Sequence, residues 1–86
     1  MPYIKYEERK DIDKYISEIK DFLANPETTV GDLNYMITKI LLATKPIKYT
    51  DYNALVGMLE CCKLEFYRRA IAVYENEKIA ENGDVY

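Results

Sequence analysis

The stretch TDYNALVGMLECCKLEFYRRAIAVYENEKIA, Thr50 to Ala80, decides the fold. It contains no proline and one glycine, Gly57. Thr50 followed by Asp51 makes a favourable N-terminal cap, so the stretch reads as one long helix. Apolar residues recur at Tyr52, Leu55, Val56, Leu59, Cys62, Phe66, Ala70 and Val73, which is the spacing of a helix face. From the middle onward a second set joins them: Leu64, Tyr67, Ile71 and Tyr74. Together the two sets span an arc of roughly 200°, wider than one partner helix covers. The stripe through Leu59, Phe66 and Val73 is expected to face the subunit's own core. The side carrying Leu64, Tyr67, Ile71 and Tyr74 is expected to meet another chain or a ligand.

Upstream, a second helix is expected to run to about Thr44, burying Leu33, Ile37, Ile40 and Leu41, with Met36 flanking and Lys45-Pro46 stopping it. Thr29 with Asp32 three residues later is a variant capping box, with Asp32 itself the other candidate cap. The connection from Lys45 to Tyr49 is short enough to imply that helices two and three pack antiparallel. A first helix is expected from Glu7 or Asp11 to Leu23 or Ala24. Its stripe is Ile12, Ile16, Ile19 and Leu23, and Asn25-Pro26 ends it. Residues 1–6 (MPYIKY) read as an extended arm too apolar to hang free. Residues 81–86 (ENGDVY) read as a C-terminal tail beginning at an Asn82-Gly83 helix stop. The expectation is one all-α domain over residues 1–86: a short helix, an antiparallel pair, and a long third helix through which chains assemble.

Composition narrows the function. Eighty-six residues make one domain whose single core is marginal without a disulfide, a metal or a partner chain. There is no histidine, and the only two cysteines are adjacent, Cys61 and Cys62, pointing about 100° apart on a helix. Disulfide and metal are therefore poorly supported, no cofactor is expected, and self-assembly is left. Twelve basic against fifteen acidic residues disfavour a nucleic-acid binder, which needs an excess of Lys and Arg. No apolar run reaches the ~20 residues that span a bilayer, and the charged residues 1–9 do not resemble a signal peptide. A reduced, cytoplasmic setting is expected.

The same inventory removes most enzyme templates. Without histidine there is no Ser-His-Asp or Cys-His pair, and glycines at 31, 57 and 83 form no phosphate loop. Six residues of the long helix are the candidate ligand or partner site: Glu60, Lys63, Tyr67, Arg68, Arg69 and Tyr74. Glu60 and Lys63 fall inside the apolar arc, where they form either an i,i+3 salt bridge with the Lys stem laid over apolar surface or a polar pocket at a subunit interface. Arg68 and Arg69 point away from that arc. They are either a solvated face within reach of Glu65 or an anion clamp, for which the guanidinium fork is suited. Nine tyrosines, residues that combine apolar area with a polar tip, add to the signature of an interface.

The opening MPYIKYEERK, the middle DLNYMITKI and the run LECCKLEFYRRAIAVYENEKIAENGDVY resemble a family of small phage and prokaryotic proteins of unknown function. That resemblance implies a helical domain and supplies no mechanism. In outline the chain is also similar to phage anti-CBASS sponge proteins, small helical oligomers that sequester cyclic-nucleotide immune signals. By that likeness Lys63, Tyr67, Arg68 and Arg69 would stack on bases and hold phosphates. The leading expectation is a non-enzymatic oligomeric binding protein, a homodimer or higher, phage-encoded and acting on a host protein or process. A nucleotide sponge is the alternative, and a small enzyme comes third.

Overall fold

The computed structural model describes residues 4–86, and all the regular structure among them is helical, with no strand. After a 3-10 turn at Tyr6–Glu8 come α1 (Arg9–Ala24), α2 (Val30–Ala43), α3 (Tyr49–Phe66), a π turn (Tyr67–Ile71) and α4 (Ala72–Asn82). The last three are continuous and form one helix of 34 residues, so the chain has three helices with the third longest. It divides into two units, Met1–Lys45 and Pro46–Tyr86. In the expected arm, Met1, Pro2 and Tyr3 lie outside the described residues. Tyr6, read as extended, instead opens the 3-10 turn, and the Arg9 side chain donates to the Ile4 carbonyl at 2.9 Å.

In the first unit the local signals act as their chemistry requires. Asn25, ahead of Pro26, turns extended and ends α1. Its side chain then accepts from the Glu27 amide at 2.9 Å, an Asx turn that carries the chain round. Thr29 caps α2 by a full reciprocal box. Its hydroxyl accepts from the Asp32 amide at 3.1 Å, and the Asp32 carboxylate accepts from the Thr29 amide at 3.0 Å. Aspartate is shorter than the usual glutamate, yet it closes the same ring. At the far end Thr44 closes α2 and Lys45 takes φ +57°, a left-handed conformation at a helix end that glycine more often occupies.

Packing within this unit is thin. A shallow hollow of about 370 Å³ is lined by Phe22 of α1 and by Asp32, Tyr35, Met36 and Lys39 of α2. Ile12, Ile16 and Leu23 of the α1 stripe stay exposed, as do Leu33, Ile37 and Ile40 of α2. No described residue of either unit is buried.

The second unit is the long helix with its tail. Its start differs from the sequence reading. Lys48, with extended backbone, is the cap residue, and Thr50 already lies inside the helix. Asp51 does the capping from the first turn, its carboxylate accepting from the Ile47 amide at 3.1 Å and the Lys48 amide at 3.0 Å. These two amide bonds, the Lys48 bond first, hold the Asp51 carboxyl below the usual carboxylate range against a small opposing desolvation. Because the folded value lies below the unfolded one (~3.9), the cap stabilises the helix fully above the unfolded value. That contribution is lost as pH falls through the lowered folded one. Acid titration followed by far-UV circular dichroism is expected to show wild type losing helix in this window, with a visibly flatter response in Asp51→Asn.

At the other end the helix runs two residues past Ala80, to Asn82. Gly83, at φ +87°, stops it with its amide donating to the Ile79 carbonyl at 2.8 Å. A side chain would be strained at that φ, which is why glycine stands there.

Candidate functional site

The six residues singled out in the sequence all lie on the second unit, and the π turn decides how they are arranged. At this turn the Ala72 amide donates to the Tyr67 carbonyl, five residues back rather than four. One extra residue is thereby accommodated in the turn. Everything after it is rotated by roughly 100° from where an uninterrupted α-helix would carry it.

An independent contact confirms the rotation. The Tyr67 hydroxyl donates to the Glu75 carboxylate at 2.9 Å, a pairing of residues eight apart. On an uninterrupted helix positions eight apart diverge by about 80°, whereas positions seven apart nearly align. The extra residue turns the first relation into the second. This hydrogen bond, and then the charge of Glu75, pushes the Tyr67 hydroxyl above its ordinary range, with desolvation adding a little.

The rotation corrects the expected stripe. Val73 does not continue the line of Leu59 and Phe66, because it lies after the π turn and is carried about 100° off it. Ile71 and Tyr74 take its place. The line Tyr52, Leu55, Leu59, Phe66, Ile71, Tyr74 now keeps to one side of the helix and ends at Lys78. The division into a core-facing stripe and a partner-facing side is therefore redrawn. Leu64 remains on a separate side, while Ile71 and Tyr74 join the Leu59 line. Leu55, Leu59 and Ile71 are half-buried, whereas Phe66 (66% exposed), Tyr74 (58%) and Leu64 (57%) project into solvent.

The charged candidates are mostly paired. Lys63 Nζ lies 3.1 Å from the Glu60 carboxylate, the i,i+3 bridge that the spacing allows. Arg68 Nη2 donates to both oxygens of Glu65, at 3.0 and 3.2 Å. Arg69 makes no ion pair among the described residues. The Lys78 ammonium sits 5.5 Å from the Tyr74 ring centre and 3.2 Å from Glu81. Among these exposed pairs each bridge is worth only tenths of a kcal/mol, about 0.2–1. They fix side-chain direction more than they hold the fold. Glu65 partners Arg68, as the i,i+3 spacing allows, whereas Glu75 becomes a neighbour of Tyr67 only through the π turn and is not evident from the sequence.

Chemically the face offers apolar and aromatic area edged by neutralised charges. No cluster of three metal-ligating side chains occurs among the described residues, and no helix there is long and apolar enough to cross a membrane. The profile of one protein family matches residues 1–85: a domain of unknown function (DUF6899). The chain belongs to the DUF6899 family. The match covers all three helices and the tail up to Val85, so the long helix with its π turn lies wholly within the DUF6899 domain. No curated protein and no solved structure matches.

Proposed function

We propose that this protein works by binding rather than by catalysis, as a small oligomer assembled through its long helix. The observation that carries the reading is the exposure of large apolar side chains along that helix: Tyr52, Val56, Leu64, Phe66, Val73 and Tyr74 all face solvent. A helix apolar on more than one side is stable in water only against neighbours, and a contiguous exposed apolar surface marks an interaction site. The non-catalytic reading is supported by the state of the acids. Glu60, Glu65 and Glu75 are each engaged by a neighbouring side chain, and the chain holds no histidine to serve as a base. Sequestration of an anionic nucleotide at a subunit interface ranks second. Lys63 and Arg68 are already met by carboxylates, which leaves Arg69 as the cation an anion would encounter first.

Size-exclusion chromatography with light scattering tests the reading. At ~100 μM the expected mass is an integer multiple, two or more, of the 10.1 kDa chain. A 10.1 kDa species at that concentration overturns it.

A further inference from the structure

We infer that the occupant of the Tyr52–Tyr74 stripe is the same stripe of a second copy, paired antiparallel, with the π turn as the device that makes the stripe continuous. The inference rests on the assembly reading above and adds the face, the partner and the register.

Continuity comes first. Without the π turn the positions following Phe66 on this side would be Ala70, Val73 and Glu77: a methyl group, one branched side chain and a charge. With it they are Ile71, Tyr74 and Lys78, and the bulk of the stripe carries on for another two turns. The Tyr67–Glu75 hydrogen bond spans the turn beside the stripe and favours the rotated arrangement.

Length selects the partner. From Tyr52 to Tyr74 the stripe runs roughly 33 Å at ~1.5 Å per residue. By the same rise α1, with 16 residues, reaches about 24 Å, and α2, with 14, about 21 Å. Neither spans it, whereas another long helix does. The area is also sufficient. Over those ~33 Å, covering half of a cylinder ~10 Å across removes on the order of 500 Å² per chain. The pair then buries about 1,000 Å² in total, the level at which a specific interface begins.

Self-complementarity gives the direction. Measured along the axis, Leu59 and Ile71 lie equally far from a midpoint at Leu64–Glu65. Leu55 and Tyr74 match to within about one residue's rise, and so do Tyr52 and Lys78. A two-fold axis through that midpoint sets Leu59 of each copy against Ile71 of the other, as an isologous contact requires. It also brings Tyr52 of each copy to the Lys78 ammonium of its partner, a cation–π contact at both ends.

Disulfide trapping tests this in a chain carrying Cys61→Ser and Cys62→Ser. Leu59→Cys with Ile71→Cys is expected to give a covalent dimer as the main product of mild oxidation. Either substitution alone is expected to give little. Efficient trapping by Leu59→Cys alone would mean a parallel pair and overturn the antiparallel register. As a second measurement, Phe66→Glu is expected to raise the dissociation constant about 100-fold, while Leu64→Glu on the other side changes it less than about threefold. An assembly that survives Phe66→Glu, or that Leu64→Glu dissolves, overturns the inference and leaves the oligomeric reading intact. A wild-type chain that runs as a monomer removes both.

Discussion

Deleting Ala70 is expected to leave the long helix and its assembly in place, whereas deleting Cys61, nine residues earlier, is expected to dissolve the assembly. Removing one residue from a continuous α-helix rotates everything beyond it by about 100°. At Cys61 that rotation carries Phe66, Ile71 and Tyr74 off the side that holds Leu55 and Leu59. Each anchor withdrawn from an apolar contact forfeits roughly 1.5–3 kcal/mol. Two are enough to weaken association by more than about 100-fold. Ala70 differs because it lies in the Tyr67–Ile71 turn, which already holds one residue too many. Its removal converts the π turn to ordinary helix and leaves Ile71, Tyr74 and Glu75 facing as before. Tyr67 and Glu75 then stand seven apart in sequence, still in line for their hydrogen bond. Circular dichroism at 222 nm and sedimentation equilibrium on the two deletion variants provide the comparison. Equal damage from both deletions would show that the π turn does not set the register.

The π turn also marks where sequence reading stops. The ends of the first two helices were legible because each depends on a residue or two with a stereochemical requirement. Asn25 precedes a proline, Thr29 and Asp32 can bond each other's amides, and Lys45 precedes another proline. Gly83 was legible too, as a residue free to adopt positive φ. The cap of the long helix lies two residues before the Thr50 that the sequence suggests. Thr50-Asp51 has the composition of a cap, but the backbone turns at Lys48, and Asp51 reaches back from inside the helix to the amides of Ile47 and Lys48. The same aspartate serves either geometry, and composition alone does not distinguish them.

The candidate site was legible as a set of residues and illegible as an arrangement. Glu60 with Lys63 and Glu65 with Arg68 are three apart, and helical spacing places such pairs together. Tyr67 and Glu75 are eight apart, a spacing that an α-helical wheel separates. No residue in YRRAI announces an i→i+5 bond, since each of the five fits ordinary helix equally well. One unannounced residue in one turn shifts every later position. That is why an α-helical wheel places Val73 on the stripe and Ile71 and Tyr74 on the other side.

Hundredfold dilution of the wild-type chain is expected to lower its melting temperature by about 5–10 °C. The argument starts from burial. None of the described residues is fully buried, so each unit supplies only a small part of the apolar contribution that normally offsets chain entropy. Local caps and i,i+3 pairs are worth about 1 kcal/mol or less each, and helices as short as α1 and α2 are marginal alone. On the proposed assembly, folding and association are one process, and the folded fraction follows mass action. A hundredfold change in concentration shifts the balance by RT ln 100, about 2.7 kcal/mol. Spread over the unfolding entropy of two chains together, that corresponds to the stated range. The check is a set of thermal melts at 222 nm across the concentration series, together with the same series for Phe66→Glu. In wild type the midpoint should fall with each dilution. In Phe66→Glu it should begin low and move little, because the contact that dilution removes is already lost. A midpoint independent of concentration would mean that one chain folds alone and that its exposed helix face is not what holds it in the native state.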